Sequence, residues 1–275
     1  MLSGLYGRLH QVKRCPCCDS QTSRVIDRKF FHSFSECEKC GVLFRFPRET
    51  KEWMDKFYQN SYSEPGLTTE LPSDEELQKL VDTNFRNSQK DFSYHIEILH
   101  ALGLSENSRL LDYGANWGYA TFQFRKAGFT ADAFELSETR AQYGRKLGID
   151  ISTTFVLNAS YDAVYSSHVL EHVPNPIETI KMQLDSVKAG GLVIAHTPNG
   201  SSACRTSNYK AFHRSWGLVH PVLLTQEFIE KNFSGCSFYV SSYDDPQILK
   251  EWDQASRYVG KTDDSSLFFV LRKAA

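Results

Sequence analysis

The sequence predicts an α/β fold: a mostly parallel seven-stranded sheet with helices on both faces and an antiparallel edge strand, preceded by a small metal-built unit. Three observations predict it. From Arg109 onward, short apolar runs alternate with helical stretches, the pattern of a parallel sheet wrapped by helices. Two late apolar runs, "CSFYVSSY" and "LFFVLRK", follow with no clear crossover helix between them, so they pair antiparallel. Five of the seven cysteines fall between Cys15 and Cys40.

The cysteines come first. "CPCC" and "CEKC" place Cys15 and Cys18, then Cys37 and Cys40, in two Cys-x2-Cys steps with 18 residues between them. Each step lets one tight knuckle aim two thiolates at one ion, and two knuckles close a tetrahedron. Pro16 and Gly41 supply the turn chemistry, and "SRVIDRKF" and "GVLFRF" predict short strands, so residues 1–50 form a zinc ribbon. Cys17 is a spare thiol in the first knuckle. A disulfide or an iron–sulfur site is the competing use of these residues. A closed four-sulfur site leaves no position for substrate, so the zinc is structural.

Residues 51–105 form a helical linker or cap. "PSDEELQKL" carries a capping box, Ser73 with Glu76, and Phe92, Ile96 and Leu99 recur at helical spacing until Gly103. Residues 106–275 form the main domain. Its strands are "RLLDY", "TADAFE", "ISTTFV", "DAVYSS" and "GLVIAH", and its helices span Tyr119–Ala127, Thr139–Leu147 and Ile177–Lys188, with one more at Gln226–Asn232 before the late pair. The connection from Thr197 to Leu224 lacks clear secondary structure. Its "AFHRSWGLVHP", like "WMDKFYQNSY" with Trp53, Phe57, Tyr58 and Tyr62, is placed to cover a substrate.

A net charge of −2 gives no global field for nucleic acid or an anionic membrane. Residues 1–50 hold nine Lys/Arg and five Asp/Glu, an excess that a zinc–tetrathiolate of about −2 charge reduces. No apolar run reaches membrane-span length, and "MLSGLYGRLHQVKR" lacks the apolar core of a signal peptide. The expected compartment is the cytoplasm, where thiols stay reduced.

The chemistry centres on "LLDYGANWGYAT", where the first main-domain strand runs into a glycine loop. In an open sheet of this kind ligands bind at the carboxyl ends of the strands. A dinucleotide fingerprint needs glycine at 114, 116 and 119; the residues are Gly114, Asn116 and Tyr119. A cofactor without phosphates relaxes that need, and Asn tolerates positive φ. Asp112 ends one strand and Glu135 ends the next, 23 residues on, where an acid can accept hydrogen bonds from both hydroxyls of a ribose.

With these residues in place, the sequence resembles the class I S-adenosylmethionine-dependent methyltransferases, a Rossmann-like family. "LLDYGANWG", "ADAFELS", "YDAVYSSHVLEHVPNP" and "KAGGLVIAHTPN" carry the resemblance over about 105–200, and "CPCC…CEKCGVLF" extends it to the zinc-ribbon subgroup, several of which are similar to sugar or small-metabolite methyltransferases. The resemblance implies that Asp112, Gly114, Asn116 and Gly118 surround the methionine half of S-adenosylmethionine, that Glu135 holds the ribose, and that Ser167 and His168 lie beside the sulfonium. The chain departs from the pattern twice. Asn116 replaces the middle glycine, and "FVLNASYD" lacks the acid that holds the adenine amino group, leaving Asn158 as a substitute.

The expected function is methyl transfer to a small polar acceptor such as a sugar, nucleotide-sugar or biosynthetic intermediate. A hydroxyl or acidic-carbon acceptor needs a base, and histidine titrates near working pH. His172 follows the fourth main-domain strand; His220 precedes the helix at Thr225, as a histidine does in the family. The expected base is one of this pair, with His220 ahead and Glu171 as orienting partner. "HVLEH" also matches a zinc-hydrolase motif literally, but it follows a strand rather than lying in a long helix. Related quinone O-methyltransferases imply a divalent-ion alternative at His168, Glu171 and His172. Two other functional classes fit parts of the chain: a binding scaffold that has lost turnover, and an RNA methyltransferase docking through its ribbon, which the near-neutral charge disfavours.

Overall fold

The computed structural model describes residues 11–50, 53, 56–57 and 70–274. At its start, β1 (Ser23–Lys29) and β2 (His32–Cys37) form an antiparallel hairpin, and β3 (Leu43–Phe46) pairs along the other side of β2. β2, "HSFSEC", carries Phe34 as its one large apolar side chain. It is a strand because both of its edges are paired. Trp53 and Phe57 stack at 5.2 Å; Tyr58 and Tyr62 lie outside the described residues.

Two helices follow, α1 (Asp74–Asp82) and α2 (Ser93–Ala101). α1 opens with the expected capping box. The Ser73 hydroxyl accepts from the Glu76 amide, and the Glu76 carboxylate accepts from the Ser73 amide at 2.8 Å, so two otherwise orphaned donors are met.

The main sheet then builds from β4 (Arg109–Tyr113), α3 (Tyr119–Lys126), β5 (Thr130–Phe134), α4 (Glu138–Gly144), β6 (Ile151–Ser152), β7 (Tyr161–Ser167), α5 (Pro176–Ser186) and β8 (Val187–Pro198). After an insertion come α8 (Gln226–Asn232), β10 (Ser237–Ser241), α9 (Pro246–Glu251), β11 (Arg257–Val259) and β12 (Ser266–Arg272). The strand order is β11-β10-β12-β8-β7-β4-β5-β6. All seven expected strands are there. An eighth, β11, is added in parallel beside β10, and β12 runs antiparallel to both neighbours, β8 and β10. β6 stops at Ser152; beyond it Val156 and Leu157 are 69% and 57% exposed.

Both faces of the sheet are covered, so its central strands are near-continuous apolar runs rather than alternating ones. On one face, Leu110, Tyr165, Ile194 and Phe268 pack with Ile98 of α2 and Phe124 of α3. On the other, Val193, Ala195 and Phe269 pack with Phe228 and Ile229 of α8, and with Val42, Phe44 and three of the cysteines. The cysteine unit therefore shares a core with the main sheet.

The insertion after β8 is better ordered than its sequence suggests. The stretch 197–224 holds α6 (Ser202–Ser207), α7 (Tyr209–Ser215) and β9 (Val222–Leu223). Asn208 caps α7 by accepting from the Ala211 amide, and Phe212 and Trp216 bury against Phe34 and Leu43. β9 is the fourth strand of the small N-terminal sheet: Leu43 faces Leu223 and Phe44 faces Val222. Arg45 extends the contact by donating its amide to Pro221 O at 2.8 Å. No helix among the described residues is long and apolar enough to cross a membrane.

Gly200 marks a close approach at this seam. A Cβ there would stand 2.8 Å from Leu43 Cδ1 and 2.9 Å from Leu224 O. Gly200→Ala is expected to destabilise the protein by about 1–3 kcal/mol through overpacking, read by urea unfolding. Wild-type stability in that variant would show that the seam yields without cost.

Candidate active site

The loop after β4 is shaped by backbone hydrogen bonds that few residues permit. Gly114 and Ala115 both donate to Phe134 O at the end of β5, at 2.8 and 2.9 Å. Gly114 adopts φ +84°, and a Cβ on it would lie 2.3 Å from Val169 Cγ2, so backbone strain and packing both select glycine here. Asn116 takes φ +53°, the left-handed region that Asn tolerates. Gly118, also left-handed, caps α3. Trp117 is fully buried against Phe85, Tyr119 and Tyr143 and anchors the loop from below.

Two buried acids flank this loop. Glu135 accepts from the Asn116 amide at 3.0 Å and from the Ser137 amide at 2.9 Å, with Arg140 at 3.8 Å. Burial pushes its pKa up, against the pull of the two amides and Arg140. Asp112 is more deeply placed and less well met. Its side chain accepts from the Thr121 hydroxyl at 2.6 Å. Burial pushes its pKa up to about 7, Thr121 opposes the shift, and the Glu135 charge adds to it. Beyond Glu135, Leu136 is 56% exposed, as are Val156 and Leu157 after β6, at 69% and 57%. Asn158 is exposed on the same loop.

The end of β7 carries the second group. Ser167 faces His196 across the β7–β8 pair. His168 takes φ +54°, a conformation uncommon for a non-glycine residue, and donates its amide to His196 O. Residues 168–172 form a turn, not a helix, so the zinc-hydrolase geometry is absent here. Glu171 is completely buried. It accepts from Thr197 Oγ1 at 3.2 Å, and His168 Nδ1 lies 3.1 Å from its other oxygen. Burial alone would raise its pKa, but the His168 hydrogen bond and the charges of His172, His168 and His220 bring it down to about 2. The His168 pKa rises in return through the same bond.

His172 and His220 meet beside this carboxylate, with ring centroids 4.8 Å apart. His172 Nδ1 lies 2.7 Å from Val219 O, and His220 Nδ1 lies 2.7 Å from Ser215 O. A carbonyl only accepts, so each Nδ1 bears a hydrogen, and in its neutral form such a ring carries its lone pair on Nε2. His172 Nε2 is 3.9 Å from Glu171. Burial holds the His172 pKa down, against the opposing charge of Glu171, which keeps the ring neutral. The ligand atoms of Glu171, His172 and His220 lie within 4.8 Å of one another, a set that can also hold a cation.

A further cluster was not legible in the sequence. His95 of α2 stands perpendicular to His196 of β8 at 4.8 Å, and its Nδ1 lies 2.8 Å from the Tyr165 hydroxyl. Behind His196, Asp244 Oδ2 is 3.6 Å from Nδ1. Burial, with the charge of His168, pulls the His95 pKa down to about 4. His95 and His196 are about 100 residues apart in sequence and share no motif; the signal available was the position of His196 at the end of a strand.

The cysteines converge as their spacing predicts. Cys15 and Cys40 sulfurs are 3.5 Å apart, Cys18 and Cys37 sulfurs 3.6 Å, and all four lie within 4.8 Å. A tetrahedron of ~2.3 Å zinc–sulfur bonds has sulfurs about 3.8 Å apart. Four thiolates this close need a cation.

The profile of a family described as "Methyltransferase domain" matches residues 85–240, which takes in the glycine loop, both acids and the β7 turn. The chain belongs to this methyltransferase family. A ubiquinone biosynthesis O-methyltransferase of Hydrogenovibrio crunogenus is 29% identical over 129 residues, 42% of this chain. The chain spans about half the length of that curated relative, 51%. Among solved structures, the plantazolicin methyltransferase BamL, determined with SAH, aligns with a TM-score of 0.51 at 14% identity, over 73% of this chain and 91% of its own. A SAM-dependent methyltransferase from Archaeoglobus fulgidus aligns with a TM-score of 0.49 at 12% identity, over 71% and 99%.

In this methyltransferase domain Asp112 is a buried acid only partly compensated by Thr121, and its proton has a measurable consequence. Its folded pKa is raised, so its contribution to stability is full below the unfolded value of ~4 and is lost as pH rises to about 7. Without cofactor, Asp112→Asn is therefore expected to gain stability relative to wild type by up to ~1.4 kcal/mol per pH unit across that interval. Urea unfolding at several pH values checks it; parallel curves for the two proteins would contradict the assignment.

Proposed function

We propose that the chain transfers a methyl group from S-adenosylmethionine to a hydroxyl of a small polar metabolite, with a histidine as base. The observation that carries this reading is the buried Glu171 beside His172 and His220, whose tautomers both leave Nε2 able to take a proton. The O-methyltransferase relative supports oxygen as the acceptor atom.

The residues of the glycine loop suit the cofactor. Asp112, buried with few donors, suits its ammonium group, and Glu135 suits the ribose diol. Gly114, Asn116 and Gly118 give the methionine half close access to backbone. Ser167 and His168 stand on the sulfonium side. Leu136, Val156 and Leu157 offer apolar surface to a flat purine, which the missing acid after β6 leaves as the main adenine contact. The bound cofactor supplies an already activated methyl group, so the protein's task is alignment and proton removal. His220 Nε2 would take the proton of the acceptor hydroxyl as that oxygen receives the methyl group which the bound cofactor would supply. Glu171, ionised, stabilises the imidazolium that forms.

The reading extends to the rest of the chain. Residues 1–50 act as a zinc ribbon, 51–105 as a cap and 106–275 as the catalytic domain. Cys15, Cys18, Cys37 and Cys40 hold one structural zinc.

Two experiments test these assignments. With radiolabelled S-adenosylmethionine, label is expected in the small-molecule fraction of a cell extract. His220→Gln should cut that transfer roughly 10²–10⁴-fold while product affinity is kept. If both His220→Gln and His172→Gln transfer normally, alignment alone carries the reaction and the base assignment fails. Elemental analysis should find one zinc per chain in wild type and its loss in Cys37→Ser, because ligation here is coupled to folding. A metal-free protein of full stability would refute the ribbon.

A further inference from the structure

β1 loses register with β2 between Val25 and Asp27, and a bulge of this kind re-aims a side chain. Asp27 is the residue turned inward. Its side chain is 3% exposed, and its two oxygens accept four hydrogen bonds. Tyr209 OH and the Arg28 amide reach Oδ1, each at 2.7 Å. His213 Nδ1 at 2.7 Å and Trp216 Nε1 at 2.8 Å reach Oδ2. The three side-chain donors all come from α7 and the residue that ends it. A second tie runs beside the first. Lys29 Nζ donates to Trp216 O and sits 4.4 Å over the Trp216 ring, and that ring stacks on Phe34 of β2 at 4.7 Å.

What this clamp holds is the short turn 215–220. Ser215 O accepts from His220 Nδ1, and His220 O accepts from the Gly217 amide at 3.0 Å. The carbonyl that sets the His220 tautomer thus belongs to the residue immediately before Trp216. Further contacts from the same sheet and its cysteine turn reach the chain on either side of this turn. Glu36 pairs with Arg205 at 3.3 Å, Gly41 O accepts from Thr225 Oγ1, and Cys40 O accepts from Asn232 Nδ2.

We propose that Asp27 is a positioning residue for His220, and that the ribbon serves the reaction from behind by fixing the tautomer and place of the base. This rests on the reading of His220 as base, but its geometric content can be tested alone. An exposed docking module would turn its polar side chains outward. This one spends a buried carboxylate and a lysine on the segment that ends at the candidate base.

Asp27→Asn places an amide NH2 where one oxygen now faces two donors, so whichever way it turns, a group that can only donate, the Arg28 amide or the Trp216 indole, loses its acceptor. The test is nitrogen-15 imidazole spectroscopy of full-length zinc-loaded protein, with the His220 signal assigned by its disappearance in His220→Gln. Wild type should show a hydrogen-bearing Nδ1 and a bare Nε2. In Asp27→Asn the two shifts should move toward each other as the tautomers mix, with zinc content and S-adenosylhomocysteine affinity unchanged. Trp216→Phe, which keeps the ring on Phe34 and removes one donor, should move them the same way and decides the matter if Asp27→Asn does not fold. Wild-type His220 signals in the folded variants would overturn the proposal. Normal transfer by His220→Gln would sink the base reading while leaving the spectroscopic result standing.

Discussion

A carboxylate removed from water must be met by donors or cations, or else take a proton. Four buried acids organise the functional parts of this protein under that constraint. Asp27 gathers the insertion onto the N-terminal sheet. Glu135 ties the glycine loop to the end of β5. Glu171 draws three histidines toward the β7 turn. In these cases the donors come from segments distant in sequence or from loops that would otherwise be free, so meeting the charge and fixing the geometry are one event. Truncating such a partner leaves an uncompensated charge, and that is costly.

Asp112 is the exception. Thr121 and the neighbourhood of α3 meet it incompletely, and burial holds its pKa near 7. A fold that compensates Asp27 and Glu171 well and this acid poorly leaves room for a ligand to complete the set. The position agrees with the rule that open α/β sheets bind ligands beyond the carboxyl ends of their strands. It also separates the labour along that edge. The β4–β5 end carries the buried acids Asp112 and Glu135, and the β7 turn brings His172 and His220 together beside Glu171.

Much of this was legible in the sequence because the sheet is parallel and covered on both faces. Such strands are apolar runs, and "RLLDY", "DAVYSS" and "GLVIAH" announce themselves. Asp112 and Glu135 stood out as acids closing those runs, and the cysteines by spacing. The rest was hidden for physical reasons. β2 has one large apolar residue and owes its strand to neighbours on both edges. α6 and α7 are short, polar helices whose few buried residues, Cys204 and Phe212, give no period. "ISTTFV" has the composition of a strand, but β6 is the last in the sheet and keeps two residues of it. Asp27 and the His95–His196 pair depend on tertiary approach alone, which no local pattern encodes.

The most direct test of the account is the pH dependence of S-adenosylhomocysteine binding to wild type and Asp112→Asn. If the ammonium group of the ligand completes the environment of Asp112, the bound carboxyl titrates lower than the free one, and binding releases a proton. Calorimetric affinity should then strengthen as pH rises toward 7, by up to about tenfold per unit, and level off above it. The Asp112→Asn variant should bind weakly with no such slope. A wild-type affinity that is flat between pH 5.5 and 7.5, on the order of the spacing one titrating carboxyl requires, would contradict the claim that this acid is held for the cofactor.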